Sequence, residues 1–376
     1  MSAPPTPRTA PIPAPAPSIA RNTPAALPQR RGVGLLLVVL GVGLVALALI
    51  AAGRGQLAIA PAEVLGSVLD RIGLGGIGGL PATPEHPSGE VALWSIRFPR
   101  VAMAALVGAS LAAAGALMQG VFGNPLAEPS VVGVSAGAAV AAAAAIVTGV
   151  EAFGPWTVAV AAFLGGLVTT LLVYALSRYE GRTEVVTLLL TGIAVNAVCS
   201  GLLALLMFLG DTQSREQIVF WQLGSLNGTR WVYVAAVAPA AIVGLLGAVA
   251  LARRLDLLAL GDRSARHLGV NTERTRILII VLVALLTAAA VSFAGIIGFV
   301  GLIVPHLVRM LVGPSHRVLV IASALGGAVL LVLADLVART AVAYADLPIG
   351  MLTALVGGPV FFWLLRRARA QAGAWT

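Results

Sequence analysis

The chain has 376 residues, 59% of them hydrophobic and only 10% charged, with a mean hydropathy of +0.98; soluble domains carry about 25% charged residues, which argues against a soluble enzyme. Its 24 basic residues, all arginine, outnumber 15 acidic ones for a net charge of +9, yet they sit between long apolar runs rather than along the wettable basic stripe a nucleic-acid binder needs. A single cysteine, Cys199, leaves no internal disulfide, CxxC metal site or redox pair, and no GxxxxGK[ST] loop is present to hold a nucleotide.

Residues 1–31 are dominated by Pro, Ala, Ser and Thr, too apolar-poor to offset ordering entropy, and read as a disordered tail. Arg30 and Arg31 precede the first charge-free window, 32–53, which is long enough to read as a retained helix rather than a signal peptide. Further windows follow at 101–127, 129–150, 152–177, 185–210, 231–252, 277–308, 318–334 and 347–365. Most exceed the roughly 20 residues that cross a bilayer core. The window 277–308 would make a helix of about 48 Å at ~1.5 Å per residue, too long for one span. Gly295, Gly298 and Gly301 interrupt it, so two helices are expected. The fold class predicted is therefore an all-α polytopic membrane protein of about ten transmembrane helices, occupying 32–368, with a C-terminal tail at 369–376.

Between the windows, Pro61 to Ile72 reads as an amphipathic stretch and Ile218 to Leu223 as a short apolar piece suited to the interface. The longest remaining connection, 253–276, holds LDLLALGDRSARHLGVNTERT at 255–275. Within it Asp262 is placed to cap a short helix and Gly269 to end it. That helix is either a solvated connector or a piece docking into a soluble partner through Leu260, Ala265 and Leu268. With the amino end in the cytoplasm, 17 of the 24 arginines fall inside, so both termini are expected there.

Polar residues within the windows need partners or a wet path. Gln119, Asn124, Ser135, Asn196 and Ser200 are the candidates, as interhelical hydrogen bonders or as lining of a pathway. GASLAAAG (108–115), GVSAGAA (133–139) and Gly165-Gly166 supply surfaces for close helix packing. Arg97, Arg100 and Arg339 fall at the outer boundary, against the positive-inside trend. Two readings stay open: interfacial snorkelling, or an exposed basic site for acidic side chains of an external protein. Pro99 suits the first turn of the helix that follows.

Seven stretches resemble one family in order along the chain. They are IRFPR (96–100), LVGASLAAAGALMQGVFGNPLAEPSVVGVSAGAA (106–139), LLLTGIAVNAVCSG (188–201), FWQLGSLNG (220–228), LALGDRSARHLGV (258–270), GIIGFVGLIVPHLVR (295–309) and DLPIGMLTALVGGPVFFWLL (346–365). The chain resembles, from about residue 33 to 368, the FecCD-like permeases for iron chelates and cobalamin, the membrane subunits of type II ATP-binding-cassette importers. The resemblance implies a homodimer in the bacterial plasma membrane, two cytoplasmic ATPase subunits and an external substrate-binding protein. From its residues this chain is expected to carry no catalytic residue, cofactor or metal and to bind no nucleic acid, with ATP and Mg expected on the partner ATPase. By motif, Arg97, Arg100 and Arg339 match arginines that pair with glutamates of the binding protein. Leu260, Gly261, Ser264, Ala265, Leu268 and Gly269 match the segment seated in the ATPase. Asn124 and Leu126 match the inner-gate loop, and Gln119 and Asn196 are assigned to the pathway beside it. Gly123 departs from the basic or bulky residue that members often carry before NPLA.

The function expected is ATP-driven import of a ferric chelate, siderophore or haem, by alternating access. Cobalamin import on the same architecture is the alternative. An ion-coupled secondary transporter would need titratable groups lining a membrane site; Asp335 and Asp346 come closest, both near the outer end of a span. An intramembrane enzyme would need a nucleophile–base or metal constellation, which one cysteine and four scattered histidines do not suggest.

Overall fold

The computed structural model describes residues 30–179, 182–183 and 185–372. Nearly all of the Pro-rich segment and residues 373–376 lie outside these. Fourteen helices follow in order among the described residues. They are α1 (Arg30–Gly53), α2 (Pro61–Arg71), α3 (Gly89–Val91), α4 (Phe98–Phe122), α5 (Val134–Thr148), α6 (Thr157–Leu176) and α7 (Val185–Leu209). After them come α8 (Thr212–Leu223), α9 (Trp231–Leu258), α10 (Asp262–His267), α11 (Thr272–Ala294), α12 (Val300–Val312), α13 (His316–Thr340) and α14 (Ile349–Ala372). A two-residue strand pair, Arg178–Tyr179 with Arg182–Thr183, joins α6 to α7.

Among the described residues seven helices are long and apolar enough to cross a membrane, and α5, α12 and the apolar part of α14, Ile349–Leu364, are shorter apolar segments. Together they answer the ten expected spans one for one. The window 277–308 divides as expected into α11 and α12, and α14 runs beyond its window to Ala372. The start of α4 differs from expectation. The helix begins not at Pro99 but at Gly89, running through α3 and a π-helical stretch, Ala92–Arg97, into α4. Proline lacks an N–H and its ring crowds the carbonyl four residues back; a widened turn just before Pro99 accommodates both.

Lipid tails are as apolar as leucine, so helices in a bilayer associate by close contact of small residues. Helix α4 lies at the centre, against α9, α11, α12 and α13, and its Ala112, Ala113 and Ala114 are fully buried. Its GASLAAAG face permits backbone contact. A Cβ on Gly108 would stand 2.2 Å from the Gly327 carbonyl oxygen of α13, and one on Gly115 1.8 Å from that of Gly301 in α12. Any side chain at either glycine would push a helix away.

The two ends of the bundle differ. One end, the α2 face, carries α2, α8 and an aromatic group of Trp156, Tyr233 and Phe293 with centroids 5.1–5.7 Å apart, of the kind that sits at headgroup level. There Glu63 of α2 accepts the backbone N–H groups of Ala60 at 2.7 Å and Glu85 at 2.8 Å, which hold its carboxyl below the ordinary range. The other end, the α10 face, carries the strand pair and α10.

Candidate functional site

The three boundary arginines meet at the α2 face, but not as an exposed patch. Arg97 and Arg100 are buried, and the Arg339 side chain is 7% exposed. Helix α1 brings no basic residue to its own last turn, and its terminal carbonyls are satisfied from elsewhere. Arg97 donates Nη1 to Ala52 O at 2.7 Å and Nη2 to Leu57 O. Arg339 donates to Ala51 O and, at 3.1 Å, to Arg54 O. Arg100 instead bridges two aspartates, Nε to Asp335 Oδ1 and Nη1 to Asp346 Oδ2, both at 2.8 Å. Asp335 is fully buried, with Arg339 Nε 3.5 Å from its second oxygen. The expectation of solvent-facing charges is thereby corrected: an arginine that enters an apolar window ends up where carbonyls and carboxylates meet it. Asp335 and Asp346, weighed in the sequence as ion-coupling groups, are the partners of that charge network. The four-residue spacing of Asp335 and Arg339 on one helix was the available signal.

Three of the five polar candidates converge. Ser135 of α5 and Asn196 and Ser200 of α7 line one cavity of about 270 Å³ with Ser130, Cys199 and Gln222. Asn196 donates Nδ2 to Ser130 O at 3.3 Å while its Oδ1 has no partner; Ser200 donates to the Asn196 carbonyl at 2.9 Å. Such a wall offers hydrogen bonds without a fixed charge.

Gln119 is not part of it. Only 2% exposed, it donates to the Leu302 carbonyl at 3.1 Å and joins α4 to α12. Asn124 and Leu126 lie on the loop after α4 at the α10 face, where Asn124 Oδ1 accepts the Leu126 N–H at 2.9 Å and fixes the turn. Gly123, in the left-handed region at φ 58°, ends α4. Sequence reasoning missed Glu128. Its Oε1 accepts the N–H of Phe299 at 3.1 Å, so the loop before α5 caps the N-terminus of α12. Phe299 itself stands at φ 68°, and no local pattern announces that pairing across 171 residues. Gln222 was also missed, since α8 read as an interfacial piece.

At the opposite end, α10 is a six-residue helix between α9 and α11. Gly261, at φ 95°, precedes it, and Asp262 does not cap it; the carboxylate instead pairs with Arg276 at 2.8 Å. The Leu268 N–H bonds to the Ser264 carbonyl at 3.1 Å, and Gly269 and Val270 close the turn on Arg266 and Ala265. Ala265 is fully buried against the bundle, whereas Leu260 is 62% and Leu268 58% exposed. Of the three apolar anchors expected, two project outward and one seats the helix.

Among the described residues no three His, Cys, Asp or Glu side chains gather as metal ligands. A polytopic helix bundle with a cavity bordered in part by serine, asparagine and glutamine side chains, and a short helix protruding at one end, is an arrangement a membrane permease can use. The FecCD transport family matches residues 42–367, and the chain belongs to it: it is a permease of the ABC-importer kind. The hemin transport system permease protein HmuU of Yersinia pestis is 44% identical over 287 residues, 74% of this chain and 84% of that protein. The cobalamin import system permease protein BtuC of Halobacterium salinarum is 45% identical over 295 residues, 78% of this chain and 77% of its own length. Among solved structures, an inward-facing transporter designated as of metal-chelate ABC type superposes with a TM-score of 0.78. It is 33% identical and covers 89% of this chain and 99% of its own.

Proposed function

We propose that this permease imports a ferric chelate, siderophore or haem, driven by separate ATPase subunits that bind ATP and Mg. The observation that carries the cargo class is the likeness, over 89% of the chain, to a transporter designated as metal-chelate type, alongside 44% identity to a hemin permease. Cobalamin import is the second reading, favoured by 45% identity to a cobalamin permease.

In the mechanism proposed, two copies of the chain enclose the path, with Asn196, Ser135 and Ser200 on its wall and Asn124 and Leu126 at its inner gate. Both termini and the α10 face lie in the cytoplasm. ATP binding draws the ATPase subunits together, and α10, gripped through Leu260 and Leu268, tilts the spans it joins. Docking of the external binding protein uses Arg97, Arg100 and Arg339. Because these guanidiniums already hold α1 and the aspartates, acidic groups of the partner reach them only by competing with those contacts.

The test is uptake by cells whose other importers for these cargoes are deleted, offered haemin, a ferric hydroxamate or cobalamin. Accumulation of an iron chelate that is lost on deleting this chain is the expected result. Uptake of cobalamin alone would replace the first reading with the second.

A further inference from the structure

The loop that carries Asn124 and Leu126 is closed on itself and fastened to one helix. Within it the Ala127 N–H bonds to the Asn124 carbonyl at 3.1 Å, beside the Asn124 side-chain bond to Leu126. Two residues on from Leu126, the half-buried Glu128 reaches out of the loop to the Phe299 N–H at 3.1 Å. Ser130, two residues beyond Glu128, borders the cavity of about 270 Å³, and so does Ile296, three residues before Phe299. The Glu128 contact thus joins two segments that both run to the cavity wall, at the point where one of them becomes the loop. Further along α12 the His306 ring faces the Pro125 backbone, so the loop meets the same helix twice.

Phe299 is held against its own preference. Its φ of 68° is a conformation that non-glycine residues keep only where the surroundings fix it. Its carbonyl accepts the Ile303 N–H at 2.8 Å and opens α12, while its ring lies on Gly357 of α14, where a Cβ would stand 2.5 Å from Phe299 Cγ. Helix α12 has no side-chain cap at Phe299 and no acidic residue in its first turn. The carboxylate that a helix N-terminus favours therefore comes from the loop. We propose that Glu128 is the positioning residue of the inner gate: its carboxylate fastens the loop of Asn124 and Leu126 to the start of α12, so that the loop opens only when α12 moves. The inference rests on the reading of that loop as the inner gate, and it stands whichever cargo is carried.

Cys199, the chain's only cysteine, borders the same cavity and reports access to it with no further substitution. The experiment measures its modification by a membrane-impermeant methanethiosulfonate, added without nucleotide to the α10 side or the α2 side of vesicles holding the permease assembled with its ATPase. A hydrogen bond to a charged group holds an equilibrium by about tenfold or more. Glu128→Leu is therefore expected to raise the α10-side rate about tenfold and leave the α2-side rate unchanged. Glu128→Asp, which keeps the charge but falls short of Phe299, should match Glu128→Leu. Glu128→Gln, which keeps an acceptor at full length, should return most of the wild-type rate. A cap that only stabilised α12 would lower the unfolding midpoint and leave both rates alone. Leu126→Ala, which trims the gate itself, should also speed α10-side modification. If it does so while Glu128→Leu and Glu128→Asp keep the wild-type rate, the loop is the gate and Glu128 does not hold it. If none of the three alters the rate, the gate assignment falls together with the proposal.

Discussion

Arg100→Ala is expected to lower the unfolding midpoint of the detergent-solubilised protein by several degrees, whether or not a binding protein is present. The guanidinium is the nearest counter-charge of Asp335, 2.8 Å away and on a carboxylate with no exposure. Removing one partner of a buried pair strands the other, at a cost of about 3–5 kcal/mol. Arg339, at 3.5 Å, recovers part of that loss. The variant Asp335→Asn made in the Arg100→Ala background should restore most of the midpoint, because the stranded charge is gone. Thermal unfolding of the single and double variants checks this. An unchanged midpoint in Arg100→Ala, with only docking lost, would mean that Arg100 serves the partner and not the fold.

Leu260→Asp combined with Leu268→Asp should detach the ATPase while leaving the permease folded. Both side chains project from the bundle beside a helix whose Ala265 faces inward, so the body of the protein is not disturbed. Central apolar anchors of an interface are worth about 2 kcal/mol each, and two together predict at least a hundredfold weaker assembly. Pull-down of the ATPase with the tagged permease reads this directly. Ala265→Asp provides the contrast, because a carboxylate there unseats α10 and lowers the unfolding midpoint itself. Normal recovery of the ATPase with the double leucine variant would refute the role given to α10.

The helices were legible because membrane spanning imposes a signal that needs no neighbour: about 20 apolar residues without charge. That constraint located each window, and the excess length of 277–308 announced the break before α12. Orientations of polar side chains were not legible, for a physical reason. Gln119 and Asn196 look alike in sequence, yet one meets the Leu302 carbonyl inside the bundle and the other faces a cavity. Which carbonyl lies opposite is a tertiary fact. The arginines illustrate the same limit. Their place at the α2 face followed from the windows, but their burial depended on the end of α1 and on Asp335, some 45 and 235 residues away. Glu128 was hidden because the group it caps, the Phe299 N–H, lies 171 residues further along the chain, and no local pattern pairs the two.

The most direct test is uptake into proteoliposomes containing the permease, its ATPase and its binding protein, with either ATP or an ion gradient as the only energy source. Uptake that needs ATP on the α10 side and the binding protein on the other is the result predicted. Sustained uptake on an ion gradient without ATP would contradict the account, because the groups available to couple it, Asp335 and Asp346, are the ones assigned here to holding Arg100 in place.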